Sequence, residues 1–155
     1  MTTLSGGCRC GRIRYEVTET PLLGFACHCN DCRQLSASAF ALAVAVPESG
    51  FRLVQGEPRR WTKTGSSGKP SHQFFCPNCS GWTHTKPEVF ADGIVLRPTT
   101  LDDHRDFRPV AEIFTRSALA WARLATPFSF EADFDSESVP QILQTFGAVI
   151  PRSWK

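Results

Sequence analysis

Hydrophobic and polar residues alternate along two stretches of the chain, residues 12–17 and 128–134. This two-residue period predicts strands with one buried face. An uninterrupted apolar run over residues 40–46 has the length of a strand covered on both faces. Shorter apolar segments at residues 73–75 and 94–96 are further strand candidates.

Helix signals are fewer. Ile142 and Phe146 lie four positions apart, and Pro140 stands near the start of that segment, so we predict a short helix beginning near Ser138. A turn of helix is expected within residues 32–38. Twelve phenylalanines, eleven glycines and eleven prolines favour strands with frequent turns over long helices. The pattern as a whole predicts a mainly β fold.

The length of 155 residues suits one domain, which we place at residues 1–155. The loosest stretch, residues 64–71, is expected to be a mobile loop inside that domain. A net charge of +2 argues against nucleic acid as a partner. The N-terminal residues lack the pattern of a secretory signal, and the longest apolar run, residues 39–46, is too short to cross a bilayer. We therefore expect a cytoplasmic protein with no membrane partner, where thiols stay reduced.

Seven cysteines change the picture most, because an odd number cannot be fully paired in disulfides. They form three groups: Cys8-Arg-Cys10, Cys27-His-Cys29-Asn-Asp-Cys32 and Cys76-Pro-Asn-Cys79. Both Cys-x-Cys and Cys-x-x-Cys spacings direct two sulfurs toward one point, as tetrahedral zinc requires. The cysteine pattern therefore indicates metal binding.

The two pairs and the triplet divide as four plus three. Cys8, Cys10, Cys76 and Cys79 would make a closed site, which is typical of structural zinc. The triplet of Cys27, Cys29 and Cys32 would leave one coordination position open, which is typical of catalytic zinc. The first site would join distant parts of the chain, so its loss should unfold the domain.

Other divisions stay open. The triplet could join one end pair and leave a surplus thiol, or His28 could complete a four-ligand site without an open position. In an extended segment, however, the His28 side chain would point away from a metal bound by its neighbours. The triplet could also be a redox-active set, or a structural site completed by another residue.

These motifs resemble one known family. Gly6-Gly-Cys-Arg-Cys-Gly11, Cys27-His-Cys-Asn-Asp-Cys-Arg33 and Phe75-Cys-Pro-Asn-Cys79 resemble the glutathione-dependent formaldehyde-activating enzymes, also called the centromere-protein-V-like family. The resemblance covers about residues 4–124 and leaves a C-terminal extension, residues 125–155. It implies a β-tent fold of small antiparallel sheets around a structural zinc, followed here by a short C-terminal helix. Ser80 follows the last cysteine, where the family usually has glycine, so the turn beyond it is expected to differ.

The resemblance also implies an activity. The family joins glutathione and formaldehyde as S-hydroxymethylglutathione, which is a carbon–sulfur lyase reaction run in reverse. It implies two zinc ions per chain, one structural and one catalytic and more labile. The structural ion would be held by Cys8, Cys10, Cys76 and Cys79, and the catalytic ion by Cys27, Cys29 and Cys32. The partners would be a small thiol and an aldehyde.

Several other residues are candidates for the same chemistry. His28 could donate a proton or a hydrogen bond, and Arg33 could supply positive charge near the metal. A basic rim around an aromatic residue would suit the carboxylates of glutathione, and it consists of Arg59, Arg60, Trp61 and Lys63. The scattered histidines 72, 84 and 104 have no ligand spacing, and we expect them to be structural or surface residues.

Two classes of function compete with the enzyme. One is a non-enzymatic zinc module that binds a partner, and the other is a thiol or metal sensor that uses the Cys27 group. The aromatic residues could also form a homodimer face as readily as a core.

Overall fold

A computed structural model describes residues 2–155, and these form two β-sheets and two α-helices. The smaller sheet is antiparallel, with β2 (Arg14–Val17) between β1 (Leu4–Gly7) and β5 (Phe51–Gln55). Within β2, Tyr15 and Val17 are buried and Arg14 and Glu16 are half-buried, so the strand predicted from the alternation is confirmed.

The larger sheet has eight strands. Their bounds are β3 (Leu23–Cys27), β4 (Ala41–Pro47), β6 (Arg59–Thr64), β7 (Pro70–Phe75), β8 (Trp82–Pro87), β9 (Gly93–Leu96), β10 (Ala111–Ile113) and β11 (Phe128–Ser129). Across the sheet they run β11-β10-β3-β4-β9-β8-β7-β6. Neighbours are antiparallel except that β10 pairs in parallel with β3 and with β11.

The apolar segments predicted as strands form strands of the larger sheet. β4 occupies the middle of the larger sheet, between β3 and β9, and most of its residues are buried. The candidates at residues 73–75 and 94–96 are confirmed as parts of β7 and β9. The expected loop at residues 64–71 is shorter, because β6 and β7 pair from Thr64 and Pro70 onward and form a hairpin.

The strand predicted over residues 128–134 is wrong beyond Ser129, where β11 ends. Its parallel partner β10 is only three residues long, and the chain turns after it at Phe114, which has a left-handed φ of 56°. The alternation in this segment has another origin, because Phe130 and Phe134 pack against the core from an irregular chain. Side chains can therefore alternate between buried and exposed positions without a continuous ladder of strand hydrogen bonds.

Both predicted helices are present. α1 (Asn30–Ser36) begins two residues before the expected segment because Cys29 is its N-cap. α2 (Val139–Val149) follows Ser138, has Pro140 in its first turn, and buries Ile142 and Phe146 as predicted. Within the described residues, the helices are too short or too polar to span a membrane.

The C-terminal segment is part of the main core. Phe146 and Trp154 are fully buried in the same apolar cluster as β3 and β4. At Gly24 in β3, a β-carbon would lie 2.5 Å from a ring carbon of Phe146, so only glycine lets the helix approach this closely. α2 therefore packs directly on the strand that ends at Cys27.

Candidate metal centres and cavity

Four cysteine sulfurs meet at a junction between the two sheets. Cys8 and Cys10 follow β1 of the smaller sheet, and Cys76 and Cys79 lie between β7 and β8 of the larger one. All four sulfurs lie within 4.8 Å of one another. We call this group the four-cysteine cluster; it joins segments that are far apart in sequence.

The spacing of these sulfurs fits tetrahedral zinc. The Cys8 and Cys10 sulfurs are 3.5 Å apart, and those of Cys10 and Cys76 are 3.7 Å apart. Zn–S bonds of about 2.3 Å imply a tetrahedron edge of about 3.8 Å. The backbone N–H of Ile13 donates to the Cys8 sulfur over 3.3 Å. Hydrogen bonding to Asn78 lowers the pKa of Cys10 to about 6.

The turn after Cys79 has Ser80 where the family usually has glycine, but its backbone keeps the conformation that glycine favours. Ser80 has a φ of 57°, in the left-handed region that disfavours residues with a β-carbon. The turn is closed by a hydrogen bond of 2.9 Å from the Cys76 N–H to the Gly81 carbonyl. Serine therefore occupies this position at a conformational cost.

Three further cysteines converge where β3 passes into α1. Cys27 ends the strand, Cys29 caps the helix, and Cys32 lies in its first turn. Their sulfurs lie within 4.8 Å of one another, and no other His, Cys, Asp or Glu of residues 2–155 joins them. The cap is made by the Cys32 N–H, which donates to the Cys29 sulfur over 3.4 Å. We call this group the three-cysteine cluster.

The three thiols of this cluster shift one another's pKa values. Hydrogen bonds from the thiols of Cys27 and Cys32 hold the pKa of Cys29 far below that of a free thiol. The same contacts raise the pKa of Cys27. A cation placed among the three sulfurs would stabilise the deprotonated form of all three, so the group fits a thiophilic metal such as zinc.

His28 lies between two of these cysteines, but its imidazole contacts a carboxylate on another strand. It is fully buried, and its Nε2 lies 2.8 Å from a carboxylate oxygen of Glu112 on β10. That carboxylate also accepts a hydrogen bond of 2.9 Å from the Leu124 N–H. Burial would raise the pKa of Glu112, but the bonds from Leu124 and His28 outweigh it and lower that pKa. The pair ties β3 to β10 beside the cysteines.

A cavity of about 660 Å³ opens beside the three-cysteine cluster, and all three cysteines contribute to its wall. Lys63 also lines it and forms an ion pair with Asp31. Arg59 and Trp61, predicted with Lys63 as a substrate-binding rim, are exposed and lie outside the lining. The structure thus brings one of these three residues to the cysteines.

No sequence pattern pointed to Arg97, which lines this cavity together with the cysteines. Arg97 is buried, and its guanidinium carbon lies 4.0 Å from the centre of the Trp82 ring. None of the ion pairs formed within the described chain includes it. Burial lowers the pKa of Arg97, and negative charge on Cys32 and Cys27 opposes that shift. Because a guanidinium stays protonated at neutral pH, the cavity holds a buried positive charge.

The remaining candidates lie apart from the cysteine sulfurs. Arg33 in α1 donates to the side-chain oxygen of Asn30. His84 is buried, stacks on Phe74 and has its pKa lowered to about 3, by burial first and then by Arg97. His72 donates from Nε2 to the Glu88 carboxylate, and its Nδ1 contacts the Thr62 hydroxyl. His104 contacts the Leu101 carbonyl.

Comparison with known proteins places this architecture in a family. A crystal structure of a Rhodobacter sphaeroides protein, a Northeast Structural Genomics target, matches it with a TM-score of 0.52. The match covers 64% of this chain and 88% of that chain at 22% sequence identity, so it bears on the fold alone. The family model of the glutathione-dependent formaldehyde-activating enzymes matches residues 3–117, a segment that contains all seven cysteines. The chain therefore belongs to the glutathione-dependent formaldehyde-activating enzyme family.

Proposed function

We propose that this protein is a zinc-dependent carbon–sulfur lyase that adds a glutathione-like thiol to formaldehyde or a related aldehyde, or cleaves the adduct. The observation that carries the proposal is the three-cysteine cluster on the wall of a cavity, with three protein sulfurs and no fourth protein ligand in the described chain. Membership in the family supports the substrate pair.

In this proposal Cys27, Cys29 and Cys32 hold the catalytic zinc, and Cys8, Cys10, Cys76 and Cys79 hold the structural one. Zinc bound by three thiolates would supply an open coordination position at which a substrate thiol loses its proton near neutral pH. Two zinc ions per chain would follow. Seven free cysteines suit the reducing cytoplasm, which we propose as the location.

The reaction needs no oxidant or reductant. A bond forms between the thiol sulfur and the carbonyl carbon, and the thiol proton ends on the carbonyl oxygen. The reverse reaction breaks that bond and returns the proton to sulfur. The chain contributes a cavity that limits water around the reacting atoms.

Arg97 has an electrostatic role in this proposal. Three thiolates and one divalent cation leave a net charge of −1, and an incoming thiolate makes it more negative. A buried guanidinium without a carboxylate partner can offset that charge, because electrostatic attraction is strong where water is excluded. His28 is assigned a positioning role, since its Nε2 is engaged by Glu112.

Thiol-dependent loss of formaldehyde tests the function, with the uncatalysed addition subtracted. We expect wild-type protein to exceed the uncatalysed rate and Cys29→Ser to fall to it, because one of three metal ligands is lost. Gln34→Ser, exposed on the same helix, is the matched control and should retain wild-type activity. Zinc per chain should fall from two to one in Cys29→Ser only. Equal corrected rates for the wild type and Cys29→Ser would refute the proposal.

A further inference from the structure

The cavity beside the three-cysteine cluster is larger than formaldehyde requires. Its volume of about 660 Å³ is in the range of sites that enclose drug-sized molecules. Formaldehyde is a single carbonyl group and would occupy a small part of it. Most of the wall consists of aliphatic and aromatic side chains, including Leu22, Phe25, Val95, Ile113, Phe134 and Leu143.

Several polar groups of this wall already have protein partners. Lys63 is paired with Asp31. The Thr85 hydroxyl donates to the Gln73 side-chain oxygen over 2.6 Å, and the Gln73 amide nitrogen donates to the Ser71 hydroxyl over 3.0 Å. Arg97 Nε and Trp82 Nε1, by contrast, are buried in this wall without such a partner among residues 2–155. Arg97 interacts electrostatically with Cys27 and Cys32, so it is assigned to the reacting groups. The aliphatic and aromatic side chains of the remaining wall favour hydrocarbon over charged parts of a ligand.

One end of the cavity is built by the C-terminal segment. Phe134, Val139 and Leu143 line it, and all three lie beyond residue 117, where the family match ends. Leu143 is held at the wall because Ile142 and Phe146 of the same helix are fully buried in the core. The segment outside the family match therefore supplies these three apolar side chains, together with Asp133, to a wall otherwise formed by residues that the match includes.

We infer that the natural adduct carries an apolar substituent, a hydrocarbon chain or ring bonded to the reacting carbon or sulfur. The inference rests on the proposed function and names the substrate class of that same site. The substituent lies against Phe134 and Leu143 while the thiol and carbonyl groups meet at the cysteines. The bond changes are those given above, with the thiol proton transferred to the carbonyl oxygen.

Binding of unreactive thioethers tests the inference separately from catalysis. The zinc-loaded full chain is titrated with 2-hydroxyethyl sulfides bearing butyl, hexyl and octyl chains, and Kd is measured by calorimetry. Burial of each methylene should lower Kd about three- to fourfold until the cavity is filled. A Kd that does not change with chain length would overturn the inference.

Two variants of α2 test where the hydrocarbon chain of the ligand binds. Leu143→Ser should raise the Kd of the hexyl sulfide at least threefold, because Leu143 lines the cavity. Val149→Ser is the matched control on the same helix, since Val149 is exposed and lies outside this lining, and its Kd should equal that of the wild type. Equal Kd values for the two variants would contradict the placement.

Two rate series identify which substrate carries the substituent. Butanal and hexanal are compared with formaldehyde when glutathione is the thiol, and butanethiol and hexanethiol are compared with glutathione when formaldehyde is the aldehyde. A rise in kcat/KM with chain length in one series assigns the substituent to that substrate. Chain-dependent binding without any turnover would refute the proposed function and leave the apolar site, whereas turnover without a chain-length gain in either series would refute the inference alone.

Discussion

The four-cysteine and three-cysteine clusters use the same side chain in opposite ways. The first takes its sulfurs from both sheets, and a hydrogen-bonding contact between Cys10 and Cys76 spans 66 positions of sequence. The second takes all its sulfurs from residues 27–32, one strand end and one helix start. A metal in the first would cross-link the fold, whereas a metal in the second constrains only a local turn. The sequence separation of the sulfurs therefore distinguishes the proposed structural site from the proposed catalytic one.

The largest expected effect is loss of the fold when the four-cysteine cluster is broken. Cys76→Ser removes one ligand of a site that contributes about 10 kcal/mol or more, comparable with the 5–15 kcal/mol total stability of a domain. We expect no cooperative urea transition in near-ultraviolet circular dichroism. Cys29→Ser is the control and should unfold cooperatively. If Cys76→Ser unfolded at the same urea concentration as the wild type, the proposed difference between the two clusters would be refuted.

Removal of the buried charge should affect the three-cysteine cluster selectively. Arg97→Met is expected to weaken zinc binding there 10- to 100-fold, the range found when groups surrounding metal ligands are changed. Arg97→Lys keeps the charge and should lose less. Competition with a chromophoric chelator measures the zinc affinity of the three-cysteine cluster in both variants. Zinc at the four-cysteine cluster, which we expect to bind more tightly, serves as the internal reference. Equal release from the Met variant and the wild type would remove Arg97 from the electrostatics of the site.

Acid pH weakens both clusters, so the contribution of His84 has to be separated from theirs. His84 has a folded pKa of about 3 and gains a proton on unfolding below its ordinary pKa of about 6.5. The unfolded state therefore binds more protons between these values, and stability falls as pH falls. His84→Asn should reduce the slope of unfolding free energy by about 1.4 kcal/mol per pH unit between about pH 6 and pH 4. Metal loss affects both proteins, so identical slopes would exclude His84 as the source.

The smallest expected effect concerns Ser80 beside the four-cysteine cluster. A left-handed backbone conformation destabilises a residue with a β-carbon by about 1–2 kcal/mol. Glycine avoids this strain but loses about 0.5–1 kcal/mol more conformational entropy on folding, which offsets part of the gain. Ser80→Gly should thus raise the free energy of unfolding by about 0.5–1 kcal/mol, measured in urea with zinc present. Ser38→Gly, exposed and without a positive φ, should lower it instead. Matching signs for the two variants would show that the turn is unstrained.

Local patterns predicted the elements that depend on local chemistry. β2 was predictable because the alternation of Arg14, Tyr15 and Glu16 mirrors one buried face, and α2 because Pro140 precedes an apolar stripe. The three-cysteine cluster was predictable from spacing, since one motif holds its sulfurs close together. The meeting of the two distant pairs in the four-cysteine cluster was predicted from the division of seven cysteines into four and three. The end of β11 was not, because it depends on the length of its partner strand.

Arg97 and Glu112 show where sequence reasoning ends. Each is a single charged residue near or within a short strand, a position typical of the solvent-facing side of a sheet. Both are buried, because residues distant in sequence provide the Trp82 ring for one and His28 for the other. Their roles depend on tertiary contacts that no local pattern records.

The close packing of Phe146 on Gly24 has a consequence for biosynthesis. A ribosome adds about 5–20 residues per second, so β3 and the adjoining three-cysteine cluster leave the exit tunnel on the order of ten seconds before α2, which packs on β3. During that interval the nascent chain exposes thiols next to an unfinished core. Metal binding and oxidation compete for the same sulfurs until α2 has been made and packs on β3.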